Sequence, residues 1–198
     1  MISGNTTLIA HVGYPTFAFK APYIYNPWFE SRGIDAVVMP MGIRPEEYRE
    51  IFPLLFKMSN LRGALVTMPH KVVTTELVDE LTPTAKVAGA ANAVLVREDG
   101  TLIGDQFDGE GFTRGVARKG FDLKGKRALV VGNGGVGSPI AASIAAAGVR
   151  TMGLFDPFPA ASEGLAGRLT EHYPDLEVLI GSKDPDGYDI VVNATPLG

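Results

Sequence analysis

Three residues in the first 110 positions carry side chains suited to alcohol chemistry. Lys71 closes the segment 66–71, after a predicted strand, and such a lysine can hold a substrate hydroxyl, relay its proton and stabilise an alkoxide. Asp108, between glycines, is either a chemical partner or a helix N-cap. Asn92 either hydrogen-bonds a polyol or shapes a turn. A single lysine is usually a surface charge, so none of the three is specific alone.

A glycine-rich segment in the second half predicts a nucleotide site. The apolar run 128–131 leads into Gly132, Gly134 and Gly137, spaced G-x-G-x-x-G, and an Ala/Ile-rich helix pattern follows. A strand, glycine turn and helix expose backbone N–H groups where a pyrophosphate can sit. Asp156 follows Gly132 by about 24 residues and is placed to accept hydrogen bonds from ribose hydroxyls. The alternative is a turn that only packs a helix against a sheet.

Alternating apolar runs and helix patterns predict an α/β fold with parallel sheets, divided into two units near residue 120. The predicted strands are 8–12, 35–41, 62–66, 93–96, 102–103, 128–131, 151–155, 176–180 and 190–193. The predicted helices begin at Pro22 and Pro45 and span 72–81, 108–119, 137–147 and 160–172. Ligands of such sheets bind beyond the carboxyl ends of the strands.

Composition excludes several classes of function. The chain has 198 residues, a net charge of −4 and no cysteine, which argues against nucleic-acid binding and excludes thiolate chemistry. The first residues lack the pattern of a signal peptide, and no apolar run reaches the roughly 20 residues of a membrane span. We therefore expect a cytoplasmic protein that binds neither nucleic acid nor membrane. The three histidines, His11, His70 and His172, lie far apart in sequence, so no metal site is expected.

Several motifs together are specific. The segments VTMPHK (66–71), AGAANAV (88–94) and GDQFDGEGF (104–112) precede GNGGVG (132–137) in that order. This set resembles the shikimate dehydrogenase family, which includes quinate/shikimate dehydrogenases. The first loop, with GYP (13–15) and KAP (20–22), and the closing segment NATPLG (193–198) fit the same family. The resemblance covers nearly the whole chain.

The resemblance implies an N-terminal substrate domain, here 1–119, and a C-terminal Rossmann-like domain, here 120–198, with a cleft between them. Members reversibly oxidise a ring alcohol of a hydroxylated cyclohexene or cyclohexane carboxylate with NAD or NADP. The family's catalytic pair falls on Lys71 and Asp108, and two of its substrate-binding residues fall on Thr67 and Asn92. The expected cofactor-binding residues are Gly132, Asn133, Gly134, Gly135, Val136, Gly137, Asp156, Asn193, Ala194 and Thr195.

The substrate loop departs from the family pattern. Shikimate-binding members carry a Ser-x-Ser pair that holds the substrate carboxylate, and these positions are Phe19 and Ala21 here. A polar Asn that often precedes the V-T-x-P motif is Leu65. A hydrogen bond to a charged group is worth about 1.5–3 kcal/mol, so the loss of both hydroxyls predicts shikimate binding weaker by roughly two to four decades. We therefore expect a changed acid, or a substrate without that carboxylate geometry.

The cofactor loop departs as well. NADP-using members usually have Asn-Arg-Thr after the second Rossmann strand, whereas this chain has Phe155-Asp156-Pro157. A carboxylate accepts hydrogen bonds from ribose hydroxyls and repels a 2′-phosphate. The sequence therefore predicts NAD in preference to NADP.

Three functions stay open. The first is an NAD-dependent dehydrogenase of a shikimate- or quinate-type acid, acting as a monomer or homodimer on a small molecule. The second is a dehydrogenase of another cyclic polyol or an aminated analogue, and the third is a metabolite sensor without chemistry. Retention of Lys71 and Asp108 argues against the sensor. Relatives continue beyond the position of Gly198, so the Rossmann-like half is expected to be incomplete in this chain.

Overall fold

The computed structural model describes residues 2–197, so Gly198, the last residue of the predicted closing motif, lies outside the described residues. The chain divides into two compact units. One comprises Met1–Leu81 and Ala91–Asp105, and the other comprises Thr82–Ala90 and Gln106–Gly198. The predicted boundary at 119/120 does not match this division. Helices 83–88 and 108–118 pack on the helix at 137–146 and therefore join the second unit.

A six-stranded sheet forms the first unit, in the order β2-β1-β3-β5-β6-β4. Its strands are β1 (Thr7–Gly13), β2 (Ala36–Gly42), β3 (Leu61–Val66), β4 (Glu80–Leu81), β5 (Ala93–Val96) and β6 (Leu102–Asp105). Strand β1 runs parallel to β2 and β3, whereas β5 is antiparallel to β3 and β6. The α/β class is confirmed, but this sheet is mixed rather than wholly parallel because the predicted hairpin of β5 and β6 lies between β3 and the edge strand β4.

The helices of the first unit are α1 (Ala21–Ser31), α2 (Tyr48–Leu55) and α3 (Lys71–Thr74). Helix α2 buries Tyr48 and Phe52, four residues apart on one face, against the core around Val12, Ala64 and Val66. The predicted helix 72–81 is wrong: α3 ends at Thr74, and turns then lead into β4, which pairs with β6. Backbone pairing at the sheet edge outweighs the local helix pattern there.

The second unit has a four-stranded parallel sheet in the order β10-β7-β8-β9. Its strands are β7 (Arg127–Val131), β8 (Thr151–Phe155), β9 (Glu177–Ile180) and β10 (Ile190–Asn193). Its helices are α4 (Pro83–Ala88), α5 (Asp108–Arg118), α6 (Gly137–Ala146) and α7 (Pro159–His172). The predicted parallel sheet is confirmed in this unit, and α4 is a helix that the sequence pattern did not predict.

Helix α6 is apolar around most of its circumference because it lies inside the second unit. Eight of its ten residues are buried, and the core around it includes Ala128, Val130 and Leu154. No helix within residues 2–197 is long and apolar enough to span a membrane.

Candidate functional site

The loop after β3 is drawn tightly onto the end of β1. The Thr67 N–H donates to the Val12 carbonyl over 2.8 Å, and the Tyr14 N–H donates to the Met68 carbonyl over 3.0 Å. A Cβ at Gly13 would collide with the Thr67 methyl group, and it would also press on the Phe19 ring. Glycine at this position lets Thr67 and the first loop meet at the carboxyl end of the sheet.

Lys71 and Asn92 are both fixed by backbone hydrogen bonds at this edge of the first unit. The Lys71 carbonyl accepts from the Ala91 N–H over 2.8 Å. The Asn92 carbonyl accepts from Val66 N–H over 2.7 Å, and the Asn92 N–H donates to the Asp105 carbonyl over 2.9 Å. Lys71 is the first residue of α3 and only 8% exposed, which makes the surface-charge interpretation wrong.

A buried polar cluster supports the residue before Lys71. The His70 ring stacks on Tyr48 with centroids 3.8 Å apart, and its Nε2 hydrogen-bonds the Ile43 carbonyl over 2.8 Å. Thr74 Oγ1 donates to the His70 carbonyl and shares a 2.8 Å hydrogen bond with the Tyr48 hydroxyl. Burial lowers the pKa of His70 and, acting against the Thr74 contact, raises the pKa of Tyr48. The cluster fixes the backbone from which Lys71 projects.

The two positions of the missing Ser-x-Ser pair lie in the same unit. Phe19 is buried and its ring lies 4.2 Å from the ring of His11, centroid to centroid. Ala21 is the first residue of α1. Leu65, the third position that lost a polar group, lines an apolar cavity of about 370 Å³ beneath α1. None of the three positions offers the hydroxyl or amide of the family pattern. Phe19 instead contacts an aromatic ring, and Leu65 lines an apolar cavity.

Asp108 belongs to the second unit, where it is the first residue of α5. Its N–H donates to Gln106 Oε1 over 3.0 Å. The N-cap of α5 is Phe107, so the N-cap interpretation of Asp108 is wrong. A Cβ on the next residue, Gly109, would collide with the Pro139 carbonyl, because α5 packs closely on α6. This packing places a half-buried carboxylate at the start of α5.

The glycine turn of the second unit is built for close backbone approach. Gly132 has φ +91°, and a Cβ on Gly137 would collide with the Gly132 carbonyl. The N–H groups of Gly135 and Val136 donate to no protein acceptor within residues 2–197. A Cβ at Gly134 would meet no atom within 4 Å. Free amides and open space at a helix N-terminus form a suitable cradle for an anion.

Polar side chains hold this turn in shape. Asp156, at the end of β8, accepts from the Asn133 N–H over 2.8 Å and from the Phe158 N–H over 2.9 Å. Ser138 Oγ donates to the Asn133 carbonyl, and Ser162 Oγ donates to Asn133 Oδ1. Asp156 therefore fixes the glycine turn and places a negative charge beside it.

The segment after β10 meets the same turn. Asn193 Oδ1 accepts from the Thr195 N–H over 3.0 Å and from Thr195 Oγ1 over 2.7 Å, which closes a local turn. The Ala194 carbonyl approaches the position of a Cβ on Gly132. The second unit thus brings the predicted cofactor residues together. The first unit brings together Phe19, Thr67, Lys71 and Asn92.

Two residues with unusual environments escaped the sequence interpretation. Arg168 of α7 donates to the Val87 and Ala88 carbonyls at the end of α4, and burial lowers its pKa. His11 is buried on β1 although the sequence analysis considered it only as a metal ligand. The sequence signal that could have identified His11 as a buried polar residue is its position within the apolar run 8–12. Within residues 2–197 no cluster of three His, Cys, Asp or Glu side chains forms a metal site.

Comparisons with known proteins agree with these motifs. The model of the shikimate dehydrogenase substrate binding domain matches residues 12–94. A shikimate dehydrogenase (NADP(+)) of Rubrobacter xylanophilus is 36% identical over 200 residues, covering 100% of this chain and 70% of that protein. A shikimate dehydrogenase (NADP(+)) of Geobacter metallireducens is 32% identical, with 100% and 71% covered. The chain thus spans about 70% of the length of these curated relatives.

Solved structures of shikimate dehydrogenases and a related reductase are also similar to this chain. Shikimate 5-dehydrogenase of Listeria monocytogenes, in complex with shikimate and NAD, superimposes with a TM-score of 0.87 at 29% identity, covering 98% of this chain and 70% of that one. The 5-ketofructose reductase of a Gluconobacter species superimposes with a TM-score of 0.83 at 25% identity, covering 99% and 71%. Together with the sequence identities of 36% and 32% to the curated relatives, these matches show that the chain belongs to the shikimate dehydrogenase family of NAD(P)-dependent oxidoreductases.

Proposed function

We propose that this shikimate dehydrogenase-like oxidoreductase transfers hydride between a nicotinamide cofactor and a ring hydroxyl of a shikimate- or quinate-type hydroxy acid. The observation that carries the proposal is Lys71, which is buried, begins α3 and is anchored by its carbonyl to Ala91. A buried lysine is rarely present for stability alone, because burial removes its ammonium group from water. Its place at a strand end matches the place where α/β proteins bind ligands.

Lys71 handles the proton of the reacting hydroxyl in this proposal. During oxidation the hydrogen on carbon leaves as hydride, with both electrons of the C–H bond. The electrons of the O–H bond stay on oxygen and complete the C=O bond as the proton leaves. The Nζ atom of Lys71 takes the hydroxyl proton, and in the reverse direction it returns a proton to the carbonyl oxygen. Asp108, the position that matches the family's second catalytic residue, is proposed as the partner of Lys71 in this reaction. Thr67 and Asn92 are the proposed hydrogen-bonding groups for the remaining hydroxyls of the substrate.

The glycine turn of the second unit fits a dinucleotide. The free amides of Gly135 and Val136 and the open space at Gly134 are suited to a pyrophosphate, while Gly132 and Gly137 let α6 approach the turn. When bound there, the nicotinamide supplies the hydride acceptor or donor. Asn193, Ala194 and Thr195 are proposed to border the same cofactor, since their turn packs on Gly132.

For this chain we propose NAD as the preferred cofactor, although its curated relatives carry NADP(+) in their names. Support comes from Asp156, whose carboxylate is held at the end of β8 by two backbone N–H groups. A 2′-phosphate about 4 Å from that carboxylate would be disfavoured by about 4 kcal/mol at an effective dielectric constant of about 20. Cytoplasmic location and a monomeric or homodimeric state also remain predictions from the sequence.

A second candidate function is oxidation of a neutral polyol or reduction of its ketone. Phe19 lies against the His11 ring and Leu65 lines an apolar cavity where the family pattern has polar residues, and Ala21 offers only a methyl group. A carboxylate loses its hydration in such surroundings without gaining hydrogen bonds, which costs several kcal/mol. The structural similarity to a 5-ketofructose reductase is compatible with a substrate that carries no carboxylate.

A substrate panel with NAD and NADP side by side tests these proposals. The full chain is incubated with shikimate, quinate and neutral cyclic polyols, and reduction of the nucleotide is followed by absorbance. The proposed function predicts turnover of at least one ring alcohol, with a higher kcat/KM for NAD. Stabilisation of the protein by one of these compounds without any turnover would favour a metabolite sensor instead.

A further inference from the structure

Two buried histidines in the first unit differ in how their ring nitrogens are satisfied. His70 has its Nε2 hydrogen-bonded to the Ile43 carbonyl and its ring stacked on Tyr48. His11 is 7% exposed, and its Nδ1 is buried without a hydrogen-bond partner within residues 2–197. Buried polar atoms normally have partners, so a histidine left unsatisfied requires an explanation. His70 has a structural role, whereas no hydrogen bond from the described part of the first unit, residues 2–81 and 91–105, explains why His11 is polar.

The surroundings of His11 explain why its own fold leaves it unsatisfied. Its register partners on the neighbouring strands are Pro40 and Leu65. Side chains two residues apart on a strand share a face, so His11 lies on the face of Ile9, and both Ile9 and Leu65 line the apolar cavity. Phe19 covers the ring itself. The imidazole is thus the polar group of an otherwise apolar patch.

This patch coincides with the positions at which the substrate loop departs from its family. Phe19 contacts the His11 ring directly, and Leu65 is its register partner. Gly13, two residues after His11, is the position on which Thr67 and Phe19 converge. Phe19 and Leu65, two of the three positions that are polar in the family pattern and apolar here, therefore both adjoin the buried imidazole.

The imidazole is suited to a neutral ligand group. Burial lowers the pKa of His11, so the ring is uncharged near neutral pH and carries one N–H donor and one lone pair. A hydroxyl group matches that combination, because it both donates and accepts. Among residues 2–197 no hydrogen bond to the His11 ring is present, so the ring can turn about its Cβ–Cγ bond to present a nitrogen to a ligand that displaces the Phe19 side chain.

We propose that His11 is a specificity-determining residue that hydrogen-bonds a neutral hydroxyl or carbonyl group of the substrate, in place of the missing Ser-x-Ser hydroxyls. The aromatic ring of Phe19 then packs against the apolar face of the substrate ring. This inference rests on the second candidate function, the oxidation of a neutral polyol, and it names the class of substrate: a polyhydroxylated ring without an ionised carboxylate at this end of the site.

Shikimate and its methyl ester form a matched pair of probes, because they share the ring hydroxyls and differ in the charge of one group. The proposal predicts a kcat/KM for the methyl ester at least tenfold above that for shikimate. In His11→Val, which suits a strand, the kcat/KM for the ester should fall about tenfold, whereas His11→Asn should retain part of it. A wild-type preference for shikimate, or an unchanged kcat/KM in His11→Val, would overturn the proposal.

Nitrogen-15 NMR of the imidazole rings reads the contact directly and does not depend on turnover. The chain has three histidines, and the exposed His172 serves as an internal reference. Saturation with the methyl ester should shift the His11 nitrogen signals while those of His172 stay in place. Unmoved His11 signals under saturating ester would contradict the proposal even if the enzyme is active.

The dehydrogenase function and the recognition role of His11 can be disproved separately. Turnover that depends on Lys71 but not on His11 would retain the proposed function and remove this inference. Ester binding that shifts the His11 signals, without nucleotide reduction by any substrate, would retain the recognition role and contradict the dehydrogenase function.

Discussion

The ends of the two sheets differ in what their residues determine. In the second unit, the turn between β7 and α6 has the glycines, free amides and acidic residue that a dinucleotide site needs. In the first unit, Lys71 is buried and anchored by its backbone, whereas Phe19 contacts an aromatic ring and Leu65 lines an apolar cavity. The contrast indicates that the type of reaction and the identity of the substrate depend on separate residues, so one can be retained while the other changes.

Replacement of Lys71 should have the largest effect. Lys71→Ala removes the proposed proton carrier and should lower kcat/KM about a thousandfold. The nucleotide Kd, measured by fluorescence titration, should stay unchanged because the glycine turn belongs to the other unit. Lys71→Arg keeps a positive charge but not a group that deprotonates readily, so it should be nearly as inactive. A Lys71→Ala variant with wild-type activity would remove the basis of the proposed chemistry.

Asp108 is tested against Lys71 by a double-mutant cycle. If the two residues act as a unit, Asp108→Asn combined with Lys71→Ala should cost little more than Lys71→Ala alone. Independent, additive losses would show that Asp108 has a different role.

Substitutions at two glycines of the second unit distinguish a role in folding from a role in cofactor binding. Gly137→Ala places a methyl group against the Gly132 carbonyl and should lower the free energy of unfolding by about 3 kcal/mol. In Gly134→Ala the methyl group meets no protein atom, so the Tm should be unchanged while the nucleotide Kd rises about tenfold. Calorimetric unfolding and nucleotide titration measure the two effects. Equal nucleotide affinity in wild type and Gly134→Ala would argue for a turn that only packs α6.

The charge of Asp156 is the next test. Asp156→Asn keeps an oxygen that accepts hydrogen bonds but removes the negative charge, so the ratio of kcat/KM for NAD to that for NADP should fall about 10- to 100-fold. Steady-state kinetics with both nucleotides measure the ratio. If NADP is already preferred by the wild type, or if the ratio does not change, Asp156 does not select the cofactor.

The smallest effect concerns stability in acid. Burial holds the pKa of His70 below its ordinary value of 6.5, so the unfolded chain takes up a proton that the folded chain resists. Full stability is therefore present above pH 6.5 and declines as the pH falls from there towards the folded pKa. His70→Gln should show a shallower decline in denaturant titrations between about pH 7 and 5. The same slope in wild type and variant would show that His70 contributes nothing to this dependence.

The sequence predicted those parts of the molecule that local pattern determines. The strand 190–193 was predicted at its observed bounds, and the glycine turn was predicted because its backbone requires glycine at Gly132 and Gly137. The helix expected at 72–81 failed because long-range pairing of β4 with β6 overrides the local preference. The proximity of His11 to Phe19 depends on how a loop folds back onto β1, which no local pattern specifies.

The most direct test of the central contrast restores the hydroxyls of the acid-binding loop. The double variant Phe19→Ser, Ala21→Ser is assayed with shikimate and NAD, with and without Lys71→Ala. We predict that the two serines raise kcat/KM for shikimate by about two decades, and that Lys71→Ala lowers kcat/KM about a thousandfold whether the loop carries Phe19 and Ala21 or the two serines. No gain from the two serines with Lys71 present, or a Lys71→Ala loss that differs strongly between the two loops, would contradict the claim that reaction and substrate identity depend on separate residues.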